Sequence, residues 1–262
     1  MYDFSYSRAS SSDEAISKHG ASDDARYLAG GMTLIPVLKQ RLDQPSDVVD
    51  LGDLEDMRGI TEDSGAIVVK AMTTHHQVHS SELVKSKIPA LADLAGTIGD
   101  PMVRNRGTIG GSLANNDPAA SYPSAVLALN ATINTNKRSI PADEFFTGMF
   151  DTALEEGELI VSVSFPIPEQ AGYKHFPNPA SRYPIVGSFV AKTSDGVRVA
   201  ITGAGACAYR QTEFEEAWAD GDLDPEKIKD IKISDEGLNS DIHASAEYRA
   251  HLINVMTRRA IG

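Results

Sequence analysis

The sequence predicts an α+β protein with a nucleotide-binding-like first part and a smaller second domain. Three observations carry this. Strand-like and helix-like hydrophobic periods alternate through the first part. Pro166 and Pro168 then interrupt a strand-like run, which marks the best domain boundary in the chain. Beyond them, three strand-like segments precede an amphipathic terminal helix.

Taken in order, residues 26–29 form a strand that runs into Gly30 and Gly31, after which Leu34, Val37, Leu38 and Leu42 recur at helical spacing. Residues 46–51 (SDVVDL) and 66–71 (AIVVKA) read as strands. Thr73 and Thr74 are placed to cap a short helix through His79, and residues 88–97 suggest another. Residues 105–118 (NRGTIGGSLANNDP) are rich in glycine and turn formers and predict a loop. A helix over 122–129, a strand near 131–135 and an alternating strand over 159–165 complete the first part. In the second, strands are expected at 188–192, 197–202 and 204–209. Tyr248, Leu252, Val255 and Met256 then share one face of a closing helix.

Composition narrows the functional class. With 24 basic against 37 acidic residues the net charge is −13, the wrong sign for nucleic acid or an anionic membrane. The acid-rich residues 213–224 read as a solvated face or loop. No apolar run is long enough to span a bilayer and no secretory h-region opens the chain, so a cytoplasmic location is the expectation. Cys207 stands alone, which rules out a disulfide framework or an iron–sulfur cluster held by this chain unaided, and suggests a small buried side chain.

Two glycine loops carry the chemistry. Ala29, Gly30, Gly31, Met32, Thr33 and Leu34 lie between a strand and a helix, where glycines permit close backbone approach and successive N–H groups can form an anion cradle, or where the turn serves only as a tight connection. Thr33 adds a hydroxyl. Thr108, Ile109, Gly110, Gly111 and Ser112 form the second loop, set among Asn105, Asn115 and Asn116, with backbone donors again expected to face an anion. Two such loops suggest a dinucleotide site with one loop on each side. Asp100 and Asp117 flank the second loop and are expected to fix its turns. His75, His76 and His79 include an i, i+4 pair but no carboxylate or thiolate at ligand spacing, so no metal is expected. No catalytic triad or carboxylate pair is visible.

At this point the residues resemble a known family. YLAGGMTLIPVLKQRL (27–42) resembles the first flavin loop and following helix of the FAD-binding medium subunits of molybdenum hydroxylases, of the aerobic carbon monoxide dehydrogenase and xanthine dehydrogenase type. IGDPMVRNRGTIGGSLANNDPAASYPSAVLAL (98–129) resembles their second loop. EFFTGMF (144–150), GELIVSV (157–163), PASRYPIVG (179–187) and SAEYRAHLINVMTRRAI (245–261) fit the same pattern, so nearly the whole chain is covered.

The resemblance implies a two-subdomain FAD-binding fold of the vanillyl-alcohol-oxidase (PCMH) type over residues 1–166, divided at about 57/58. A smaller α+β C-terminal domain with an antiparallel sheet follows over 169–262. FAD would be held noncovalently, with both glycine loops on the pyrophosphate and ribityl, Ile160 near the flavin or adenine, and Tyr183 against the isoalloxazine. Ser121 stands where many relatives carry a cofactor-binding aspartate, Pro177 where they carry a cation, and Met32 where they carry a polar residue.

The implied activity is oxidoreductase electron transfer with no catalytic side chain of its own. Electrons would pass from [2Fe–2S] clusters in a small partner subunit through FAD to a quinone, NAD or another acceptor. The molybdenum cofactor would sit in a large partner subunit, within a dimer of heterotrimers. A self-contained FAD oxidoreductase and a non-enzymatic nucleotide-binding or assembly module of the same fold are the alternatives.

Overall fold

The computed structural model describes residues 1–262. It is built on three main sheets. The first is parallel, in the order Ser5–Arg8, Asp47–Asp50, Ala25–Leu28. Parallel neighbours need crossovers, supplied here by the helices Ser12–Gly20 and Leu34–Lys39. Ser11 caps the first of these by accepting from the Glu14 amide.

The second sheet is antiparallel, in the order Ile60–Asp63, Ala66–Lys70, Ile160–Pro166, Thr132–Thr135, Ser139–Pro141. Its central strands alternate: Ile67 and Val69, Val163 and Phe165 are fully buried. The helices Pro89–Thr97 and Tyr122–Ala128 belong to the same core, and every residue of the latter is buried. The third sheet, also antiparallel, runs Gln170–Pro177, Pro184–Thr193, Gly196–Thr202, Tyr209–Arg210. The helix Ala246–Ile261 packs on it so closely that the Ala260 carbonyl fills the place a side chain at Gly172 would take.

The main core joins the first two sheets and extends into the third through Tyr173, Phe189, Ala191 and Ala200. A second core gathers Trp218, Phe214 and Ile228 with Leu252, Ile253 and Met256 of the terminal helix.

Several expectations need correction. The helix after the first loop stops at Lys39, with Arg41 at φ 61 and Leu42 mostly exposed. The expected strand over 204–209 survives only as Tyr209–Arg210, because Gly203 turns the chain at φ 83. Cys207 is half-buried, not buried. Tyr248 lies outside the buried face of the terminal helix, while Arg249 lies inside it, donating to the Ile185 and Gly203 carbonyls. Residues 213–224 are not wholly a solvated face. They include the helix Thr212–Ala217, which buries Phe214, with Trp218 buried after it, and Glu215 holds Arg210.

Candidate functional site

A cleft of about 680 Å³ is lined by segments next to the three-stranded sheet, by segments of the five-stranded one, and by residues 181–184 at the turn into the third. Of the expected contact residues, only Ile109 does not reach it; that side chain is fully buried in the core.

The first loop leaves the strand Ala25–Leu28 and turns at Gly31, with φ 76. The carbonyls of Gly31 and Thr33 accept from Ile35 and Val37, which starts the next helix. The amides of residues 29–34 donate to nothing within the chain. Gly30 and Gly31 are themselves buried. Buried N–H groups seldom stay unpartnered, and with the flanking amides also free of the chain this stretch of the cleft wall offers a row of donors suited to an acceptor from outside, while Met32 and Thr33 are open to solvent. Gly30 is obligatory for a second reason. A Cβ there would strike the Arg106 carbonyl and come within 2.8 Å of the Gly107 Cα, so the two loops touch backbone to backbone.

The second loop is built differently from the expectation. Within residues 105–118 lies a helix, Ile109–Asn115, capped by Thr108 and closed by Asn116 at φ 40. Its leading amides are already used. Ile109 donates to the Thr73 carbonyl (3.1 Å), Gly110 to Ala71 (2.9 Å), Gly111 to Thr108 Oγ1 (3.2 Å) and Ser112 to the Thr108 carbonyl (3.0 Å). No backbone cradle remains here. Gly110 instead lets the helix press on Ala71, whose Cβ would lie 2.6 Å from a Cβ added at Gly110. This loop offers the cleft side chains: the Thr108 proton, the Ser112 hydroxyl and the Asn115 amide, none of which donates within the chain. Asp100 and Asp117 do fix turns, accepting from the Val103 and Ala119 amides at 2.9 and 2.8 Å.

The remaining walls come from farther along the chain. Ile160 and Ser121 line the cleft while almost wholly buried. Tyr183 is 44% exposed, at the end of a turn in which the Asn178 amide donates to the Tyr183 carbonyl and Asn178 Oδ1 accepts from Ala180. The third sheet also clasps the second loop: Gly203 donates to the Pro118 carbonyl and Thr202 to Ala120. Burial pushes the Asp117 carboxyl up, and burial followed by the Asp117 charge pushes the Tyr183 phenol up. Pro177 is outside the lining, and the guanidinium near this wall is that of Arg182, which donates to the Gly99 carbonyl at 3.1 Å.

Other lining residues had no place in the site assigned from the sequence. Tyr27 donates to the Gly157 carbonyl at 3.1 Å, which draws residues 155–158 against the first sheet, and His19 packs on Tyr27. Burial would raise Glu158, but Arg138, the Glu155 amide and Thr135 hold it at about 2. His75 is buried and lines the cleft, whereas His79 bonds the Ala92 carbonyl at 2.9 Å. No cluster of three possible metal ligands exists. No helix is long and apolar enough to cross a membrane.

Comparison with known proteins places this arrangement. Residues 2–168 match the family model for the FAD binding domain in molybdopterin dehydrogenase, and residues 171–262 match that for the CO dehydrogenase flavoprotein C-terminal domain. The glyceraldehyde dehydrogenase medium chain of Sulfolobus acidocaldarius is 34% identical over 98% of this chain and 97% of its own. The nicotine 6-hydroxylase medium subunit of Paenarthrobacter nicotinovorans is 34% identical over 98% and 95%. A solved CO dehydrogenase from Oligotropha carboxidovorans superposes with a TM-score of 0.89 at 30% identity, covering 99% of this chain and 96% of that one. The chain therefore belongs to the FAD-binding medium subunits of the molybdenum hydroxylases, oxidoreductases of the carbon monoxide and xanthine dehydrogenase type.

Proposed function

We propose that the cleft holds FAD noncovalently and that the chain is the electron-transfer subunit of its complex. The observation that carries this is the row of free amides over residues 29–34, a neutral cradle suited to a pyrophosphate. Its surroundings suit the rest of a dinucleotide. Thr108, Ser112 and Ser121 line the cleft with hydroxyls that could hydrogen-bond sugar-like oxygens, Ile160 supplies an apolar wall, and Tyr183 supplies a ring face.

Bound FAD would supply the step between one-electron and two-electron carriers. In this reading electrons arrive from [2Fe–2S] clusters of a small subunit and leave to a quinone, NAD or another acceptor, with the molybdenum cofactor in a large subunit. The chain's own residues bind and orient; no side chain is assigned a catalytic proton. We place the complex in the cytoplasm as a dimer of heterotrimers, with this chain divided into units 1–166 and 169–262.

The test is the visible spectrum of the full chain, alone and co-expressed with its partners, before and after adding FAD and after denaturation. Flavin bands with release of free FAD on unfolding are expected. Absence of flavin from both preparations refutes the reading.

A further inference from the structure

One lining side chain has an unused polar edge. His75 opens the helix His75–Ser80 and is 5% exposed, yet neither ring nitrogen is hydrogen-bonded within the chain. Its Nδ1 is sealed in the interior beside the Tyr122 ring, whose centroid lies 5.3 Å away and whose hydroxyl is likewise without a partner. The other edge reaches the cleft. It does so across Gly107, whose amide and carbonyl are both tied up, the first donating to Val103 and the second accepting from the His75 amide. A Cβ at Gly107 would stand 2.5 Å from Nε2, so only glycine leaves this edge clear.

A buried imidazole without partners is costly, and such groups in native proteins call for an explanation in a ligand or water. The sealed Nδ1 has no acceptor to donate to, which favours the tautomer with the hydrogen on Nε2. We infer that His75 donates a hydrogen bond from Nε2 to an acceptor atom of the bound cofactor, through the opening left by Gly107. The inference rests on the FAD reading above and adds a positioning contact to it. Burial, reinforced by the Arg104 charge, holds the ring neutral, so the contact is a neutral donor and persists across ordinary pH.

FAD affinity of the full chain, or of the co-expressed complex, tests this by flavin fluorescence. His75→Phe keeps the bulk and loses the donor, so FAD should bind about tenfold more weakly. His75→Gln, whose amide nitrogen can take the place of Nε2, should stay within about threefold of wild type. In protein labelled with 15N-histidine, FAD should shift the His75 Nε2 resonance, identified by its loss in His75→Gln. A folded His75→Phe variant that binds FAD like wild type overturns the inference. So does an Nε2 resonance unmoved by FAD in wild type, which decides the matter even if the variants fold poorly. Wild-type protein that takes up no FAD in either form instead refutes the FAD reading itself.

Discussion

Gly30→Ala probes the junction of the two loops with a single methyl. The new Cβ would overlap the Arg106 carbonyl oxygen, lie 2.7 Å from that carbonyl carbon and 2.8 Å from the Gly107 Cα. All three are main-chain atoms, and the Arg106 and Gly107 amides are both anchored to the Val103 carbonyl, so rotamer changes cannot relieve the clash. Overpacking of this kind costs roughly 1–3 kcal/mol, and the rigid neighbours place it toward the upper end, about 2–3 kcal/mol. The first loop must retreat, taking its amide row with it. Losing even one hydrogen bond to a charged phosphate costs about 1.5–3 kcal/mol, or about 10- to 150-fold in affinity. Urea unfolding read by circular dichroism and FAD titration of the same preparations measure the two effects. The expected result is a lower midpoint together with weaker FAD binding. Unchanged stability and unchanged FAD affinity would refute the claim that the loops meet backbone to backbone.

Two further outcomes follow from the same geometry. Burial and Arg104 depress His75 from 6.5 to about 4. The unfolded chain therefore binds the proton more readily, so the contribution of this group is fully present above about pH 6.5 and is lost as pH falls toward 4. Between pH 7 and pH 5 this amounts to about 2 kcal/mol, so urea midpoints of wild type should fall more steeply than those of His75→Gln, and parallel curves would contradict it. Gly20→Ala is the steric converse of Gly30→Ala. It adds a Cβ with nothing within 4 Å at the end of the helix Ser12–Gly20 and should raise stability by about 0.4–1 kcal/mol in the same assay.

The sequence revealed local geometry better than long-range contact. The strand–glycine–helix turn at residues 29–34 was legible because a buried turn at φ 76 needs Gly31, whatever lies across from it. The purpose of Gly110 was not. It looked like a backbone donor, but its amide serves Ala71 and its missing side chain makes room for that same residue, 39 positions away in sequence. The helix Ser12–Gly20 is hard to read from its residues because it buries only Ala15 and so shows almost no apolar stripe, although Ser11 and Glu14 mark its start. The strand Gln170–Pro177 was hidden by its composition: Tyr173 is its sole buried residue, between lysine, histidine and glycine. Tyr183 and Ser121 carried no signal of their own and were reached through family resemblance. Tyr27, His75 and residues 155–158 join the cleft only through tertiary packing, which no local pattern records.

The free amides of residues 29–34 have an implication for how such a site ages in evolution. Donors that belong to the main chain have no codon of their own, so most substitutions in the loop leave the donor row in place. Met32, exposed at the cleft, presents the same N–H that serine or histidine would present there. What inheritance must preserve is the route of the chain: the turn at Gly31 and the clearance at Gly30. Side chains around the row are left free to drift toward whatever partners or acceptor a particular lineage adopts.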